Sequence, residues 1–176
     1  MSVREILLLG NPTLRVKCTS VRSFKKEGMG PLVDDLRDTL TDFKTRNGFG
    51  RGISAPQIGW AERVIFIHVD RPLALVNPLI TRRSRTMMTL WDDCFSFPGL
   101  LVKVKRNLSI EVRYRDLEGE RHTLAAGEGL SELLQHEIDH LDGILAIDRA
   151  VDSKHIVLRS EYEKWLKEQK NARVSL

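Results

Sequence analysis

Two histidines four residues apart, with a glutamate directly after the first, stand in the stretch LLQHEIDHLDG, Leu133 to Gly143. On a helix that spacing sets His136 and His140 on one face, within reach of a single cation. Glu137 then stands where a carboxylate can take a proton from a water on that cation. Leu130, Leu134, Ile138 and Leu141 form one stripe of the same helix, and the histidines lie nearly opposite it. Two plainer readings compete: a solvated polar face, or a pair of hydrogen-bonded core histidines. Leu133 and Ile144 flank the histidine side with apolar residues, so that side is expected to be covered. Glu137 adds a base that neither plain reading needs.

Two imidazoles do not complete a hydrolytic centre, which takes three protein ligands and keeps one position open. Upstream, Cys94 in WDDCFSFPG offers a thiolate, although free cysteine more often serves as a small buried hydrophobe. Downstream, Glu161 and Glu163 offer carboxylates, although they stand among Lys164, Lys167 and Lys170 as the charged face of a terminal helix would. The residue types leave both choices open, and the two imply different hydrolases.

The surrounding elements must bring these groups together. Leu32, Val33, Leu36, Leu40 and Phe43 predict an amphipathic helix over 31–46, opened by Pro31. A glycine-rich passage, Asn47 to Gly59, leads to the β-branched runs ERVIFIHVD and LALVNPLIT, which read as strands. Leu100 to Asp116 alternates as a strand does, and LEGE supplies a turn before a short strand at RHTLAA. Gly143 is placed to stop the histidine helix. Ser153 is placed to cap a terminal amphipathic helix, about 153–170, with Ile156, Val157, Tyr162, Trp165 and Leu166 on its apolar face. The expected class is α+β: mainly antiparallel sheets around a central HExxH helix, with an N-terminal and a C-terminal helix.

A chain of 176 residues without repeats or linkers is expected to form one domain, 1–176. Apolar runs fall short of the ~20 residues that cross a bilayer, and the start shows no small-residue cleavage pattern, so a cytoplasmic protein without a membrane partner is expected. Cys18 and Cys94 are too few for a disulfide framework and are expected to be free thiols. The net charge of +4 is mildly basic, with clusters at Thr81 to Arg85 and Lys103 to Arg106, but the pattern of a DNA- or RNA-reading surface is missing.

Three ordered stretches, GRGISAPQ (Gly50 to Gln57), DDCFS (Asp92 to Ser96) and QHEIDHLDG (Gln135 to Gly143), resemble the signature motifs of the peptide deformylases, GxGxAAxQ, EGCLS and QHExDHLxG. NPTLR near the start, VNP at Val76 to Pro78, Arg106 and LAIDR at Leu145 to Arg149 extend the likeness over roughly 4–150. The resemblance implies a hydrolase that removes the formyl group from the N-terminal formyl-methionine of nascent polypeptides. It implies one divalent metal on Cys94, His136 and His140, with Fe(II) the usual ion and zinc, nickel or cobalt as substitutes. Glu137 is implied as base and then acid, and the Gln57 amide and Phe95 backbone N–H as donors to the oxyanion. Gly52 is implied to let the substrate backbone approach.

The second motif departs most from the family pattern. Asp92-Asp93 replaces glutamate-glycine, and Phe95 replaces leucine. The shorter Asp92 puts the usual pair with Arg106 in question, and Asp93 would be strained if the backbone there needed a positive φ. Ser54 for alanine reads as a minor change, and Arg51 is expected to make the mouth of the methionine pocket more polar. These departures keep a second reading open, the same hydrolysis on another N-formyl compound. A binding protein with a structural metal, and an endoprotease using Glu161 or Glu163, are the remaining alternatives. The terminal stretch from Ser153 carries six Lys/Arg against three Asp/Glu. That suits contact with a ribosome surface, or a plain solvated helix.

Overall fold

The computed structural model describes residues 2–24 and 26–174. In chain order the elements are helix α1 (Lys26–Asn47), strands β1 (Gly52–Ser54), β2 (Val64–His68), β3 (Pro72–Arg83), β4 (Met87–Asp92), β5 (Leu100–Asn107), β6 (Ser109–Arg115) and β7 (Arg121–Gly127), helix α2 (Glu128–Leu141), strand β8 (Ile156–Leu158) and helix α3 (Arg159–Val174). The strands form a five-stranded sheet in the order β1-β2-β3-β6-β7 and a three-stranded sheet β4-β5-β8, and their pairings are antiparallel. The α+β class with a central histidine helix is as expected.

Helix α2 is central because its polar residues are buried as well as its apolar stripe. Every residue from Ser131 to Leu141 is buried. Leu133, Leu134, Ile138 and Leu141 pack with Ile65, Ile67, Leu75, Ile110 and Val112 of the larger sheet. The smaller sheet contributes Val102 and Val104 to a separate cluster with Leu14, Cys94, Phe97 and Leu145. Helix α1 closes the other side of β1 and β2 through Leu32, Leu36, Leu40 and Phe43.

Three local expectations are corrected. Helix α1 contains Pro31 rather than starting there. A proline that close to a helix start removes one intrahelical bond and leaves the downstream ladder intact. The alternating run from Leu100 to Asp116 is two strands in different sheets, parting at Leu108. The cause sits in α2: Gln135 accepts from the Asn107 N–H and donates to its carbonyl, both at 3.0 Å, and Ser131 Oγ donates to that carbonyl at 2.8 Å. Those bonds turn the chain from one sheet to the other. The terminal helix starts at Arg159, not Ser153. Asp152 caps only a short 3-10 turn, and Ile156–Leu158 extends along the free edge of β5 as β8. Two β-branched residues and a leucine beside an open edge pair with it more readily than they coil.

Gly143 ends α2 as expected, with φ +71°, and a Cβ there would lie 2.6 Å from the Arg15 carbonyl oxygen. The N-terminal segment runs directly under the helix end, where the Cys18 N–H donates to the Leu141 carbonyl at 2.9 Å. Gly143→Ala is therefore expected to lose at least about 1–3 kcal/mol of stability in urea unfolding; a loss below about 0.5 kcal/mol would contradict this contact. Cys18 is a free, buried thiol whose pKa burial pushes up to about 11 from 9.0, against the opposing pull of Arg63. The folded state keeps that proton after the unfolded chain has released it, so stability falls as pH rises through 9 to 11. Measured against Cys18→Ala at each pH, wild-type stability should drop by about 2–3 kcal/mol across that window. A pH-independent difference would show that the thiol is not held protonated.

Candidate active site

Helix α2 places both histidines on the face turned toward the loop after β4. There Cys94 Sγ lies 3.2 Å from His140 Nε2, which in turn lies 3.2 Å from His136 Nε2. All three side chains are buried, and their ligand atoms fall within 4.8 Å of one another. The turn that presents the thiol is closed by the Ser96 N–H on Sγ at 3.4 Å and the Phe97 N–H on the Cys94 carbonyl at 3.1 Å. Neither bond uses the Phe95 N–H. Three soft electron-pair donors converging in a buried space repel one another unless a proton or a cation lies among them, and a thiolate with two imidazoles suits a divalent transition metal. Burial and the neighbouring His136 hold His140 well below the usual histidine pKa. Burial also opposes a charge on His136, yet Asp92 and Cys94 beside it outweigh that and lift it well above the usual value. The site thus favours positive charge at His136, beside Asp92 and Cys94.

Asp92 steadies this centre from behind. Its Oδ1 lies 2.9 Å from His136 Nδ1, at ion-pair distance though not aligned as a regular hydrogen bond. Its Oδ2 accepts from Arg106 at 3.0 Å, so the shorter carboxylate keeps the arginine pair. Arg106 also bonds Asp139, which bonds Arg149 at 2.9 Å. Burial disfavours the charge on Asp92, but His136 and Arg106 overcome it and hold the carboxyl below its ordinary pKa. A second acidic group, Asp92, Glu132 and His136, also has its ligand atoms within 4.8 Å. Asp92 is already committed to Arg106, and Glu132 Oε2 to Arg51 at 2.6 Å, so the cysteine set is the better cation site.

Glu137 and Gln57 complete the cavity. Burial pushes the Glu137 carboxyl up to about 7, with His136 and the Ser54 hydroxyl opposing. Its Oε2 is buried with no hydrogen-bond partner, an acceptor held ready for a proton. Gly52 leaves room for it: a Cβ there would lie 3.1 Å from Glu137 Oε1 and 3.1 Å from Leu133. That is a closer reason for glycine than substrate approach. Gln57 Oε1 accepts from the Ser54 N–H at 2.9 Å and its hydroxyl at 3.0 Å, which turns Nε2 toward Cys94 Sγ, 3.6 Å away. Ser54, which reads as a minor change in the sequence, orients the amide.

A cavity of about 580 Å³ joins Gln57, Cys94, His136 and Glu137 to Arg51, Gly52, Phe95 and Glu132. Phe95 stacks on Phe43 with centroids 3.8 Å apart. Arg51 lies on the cavity wall. Asp93 adopts no positive φ, since Asn77 and Glu128 are the described non-glycine residues that do. Its carboxylate instead accepts from Arg159 at 2.6 Å, at the mouth. Glu161 is exposed and paired with Lys164 at 2.6 Å, which removes it as a ligand, and Glu163 is exposed on the same helix. Sequence reasoning missed Glu132 and Arg159. Glu132 was visible in principle, one helical turn before His136, whereas Arg159 reaches the cavity only through the β8 pairing.

Second contacts of this kind set how tightly a metal is held. Asp92→Asn is expected to weaken binding of a divalent cation by about 10–100-fold, read by competition with a chromogenic chelator. Unchanged affinity would remove Asp92 from the centre.

The Polypeptide deformylase family model matches residues 3–155. The peptide deformylase of Parafrankia sp. is 38% identical over 177 residues, covering 98% of this chain and 93% of its own. Among solved structures, the Synechococcus elongatus peptide deformylase in complex with actinonin superposes with a TM-score of 0.80 at 30% identity, over 86% of this chain and 81% of that one. The Met-Ala-Ser-bound class I type b peptide deformylase of Acinetobacter baumannii gives 0.78 at 28%, over 85% and 99%. With the family model spanning both ligand-bearing motifs, the chain belongs to the polypeptide deformylase family.

Proposed function

We infer that the chain hydrolyses the formamide at the N-terminal formyl-methionine of nascent polypeptides, releasing formate and a free amine. The observation that carries this reading is the buried set Cys94, His136 and His140 in one cavity with Glu137 and Gln57. A divalent cation on those three residues supplies a Lewis acid and lowers the pKa of water toward neutrality. Fe(II) is the ion we assign, as the resemblance implies, and the chain acts in the cytoplasm as one catalytic domain.

The remaining chemistry belongs to side chains of this chain. Glu137, raised to about 7 by burial, takes a proton from the attacking water and returns it to the departing amine. Gln57 Nε2, aimed by Ser54, and the Phe95 N–H donate to the oxygen that gains charge. Burial of these donors strengthens them, because little water competes. The lysines of α3, Lys164, Lys167 and Lys170, are exposed and give the chain a basic arm suited to an anionic surface such as the ribosome. The same hydrolysis on another N-formyl compound is the second reading, favoured by the Arg51–Glu132 pair on the cavity wall.

Protein loaded anaerobically with Fe(II) is expected to release formate from formyl-Met-Ala-Ser. Glu137→Gln should retain the metal and lose about 10²–10⁴-fold in kcat. Cys94→Ser should lose the metal, and Glu161→Gln should not. Absence of formate release by the loaded wild-type protein would defeat the reading.

A further inference from the structure

Helix α2 borders a second cavity, of about 300 Å³, apart from the one that holds the hydrolytic centre. Gln135, Ile138 and Asp139 line it from the helix, Lys105 and Arg106 from β5, and Arg83 from the end of β3. Successive helical residues turn by about 100°, so these three helix positions look out on a different side from Leu133, His136 and Glu137.

Charge sets this cavity apart. Arg83, Lys105, Arg106 and Arg149 line it, against the carboxylates of Asp139 and Asp142. Both carboxylates are already committed, Asp139 to Arg106 and Arg149, and Asp142 to Arg63 at 2.7 Å. Arg83 and Lys105 are exposed and make no ion pair or side-chain hydrogen bond among the described residues. Arg106 supplies a buried element. Its side chain is 4% exposed, Asp139 and Asp92 hold Nη1 and Nη2, and Nε is buried with no hydrogen-bond partner. A buried guanidinium with an unmatched donor is costly, and negative charge nearby lowers that cost. Scattered surface cations would simply be solvated; these surround a cavity with a buried arginine in its lining. We propose that this cavity binds a small dianionic oxyanion, inorganic phosphate or the phosphate of a small monoester, with Arg83 and Lys105 as its principal ligands and Arg106 behind them.

One side chain couples this site to the metal centre. Arg106 Nη2 donates to Asp92 Oδ2 at 3.0 Å, and Asp92 Oδ1 lies 2.9 Å from His136 Nδ1. An anion beside the guanidinium offsets its charge, and Asp92 then leaves more of its own for His136. A divalent cation on Cys94, His136 and His140 is held more tightly as a result. By reciprocity, the loaded protein binds the anion more tightly by the same factor. The coupling rests on the cation site of the proposed function; the anion site does not.

Calorimetry on the metal-free protein at fixed ionic strength tests the site with inorganic phosphate, sulfate and glycerol 3-phosphate. A single saturable event is expected, and R83Q/K105Q should weaken it at least about tenfold while leaving the urea midpoint unchanged. Glycerol 3-phosphate binding as tightly as inorganic phosphate assigns the site to monoesters; binding of the inorganic ions alone assigns it to free phosphate. Chelator competition for Zn(II), with sulfate as a weak ligand for the free ion, should show metal affinity raised about 3- to 10-fold in wild type and unchanged in R83Q/K105Q. No saturable binding of the three anions below about 10 mM, or equal binding by wild type and R83Q/K105Q, overturns the proposal. A sulfate effect on metal affinity that survives in R83Q/K105Q overturns the coupling, because the anion then acts at the metal itself. If phosphate binds and Zn(II) does not, the cation site fails and the anion site stands.

Discussion

Everything in this site hangs from one buried cation. Arg106, with its side chain 4% exposed, lies between Asp92 and Asp139 under the histidine helix. A guanidinium removed from water is tolerated only with its charge matched and its donors used. Asp92 and Asp139 do the matching, and Arg149 offsets the second carboxylate from the solvent side. Because β4 and β5 pair antiparallel, Asp92 and Arg106 sit on neighbouring strands of one sheet, while Asp139 belongs to α2. The network therefore bolts the helix to the sheet that carries the cysteine loop. Replacing such an array by apolar side chains could stabilise the fold; what the charged version provides is a fixed register between Cys94 and His136.

The same network sets the electrostatics at the donors. Asp92 stays ionised because His136 and Arg106 outweigh its burial, and Arg106 stays charged because Asp92 and Asp139 outweigh its own. An ionised Asp92 behind His136 favours positive charge at that ring, which a proton or a cation can supply. His140, which has no such carboxylate at its Nδ1, stays neutral. The two imidazoles and the Cys94 sulfur are therefore presented together on one side of the helix. Glu137 lines the same cavity with Oε1 beside Gly52, and its carboxylate is not one of the three clustered ligand groups.

How much of this was legible in the sequence follows the range of each interaction. His136, Glu137 and His140 could be read from spacing because one helical turn joins them. Cys94 could not be chosen over Glu161 by residue type, since its place depends on the β4–β5 turn, and only the resemblance to a family pointed to it. Gly143 was read correctly as a stop, but the Arg15 carbonyl that forbids a side chain there is a tertiary contact. Ile156 and Val157 fitted a helical pattern as well as a strand, and the open edge of β5 made the choice. The Ser54 hydroxyl looked like a neutral replacement for alanine because nothing in the local sequence shows the Gln57 amide folding back onto it.

The departures from the family motif are not scattered errors, because each new charge has a partner. Asp92 keeps Arg106, Asp93 binds Arg159 where α3 begins, and Arg51 binds Glu132. Arg159 also donates to the Pro98 carbonyl at 3.2 Å and lies over the Phe49 ring at 5.2 Å, so the start of α3 is tied to both sides of the cavity mouth. A glycine in place of Asp93 would offer no such tie. An arginine at position 51 without an acid at 132 would leave a cation beside the metal ligands, where it repels a divalent ion and costs affinity. The charges at 51 and 132 compensate each other in place, which leaves the hydrolytic centre intact while changing what lines it.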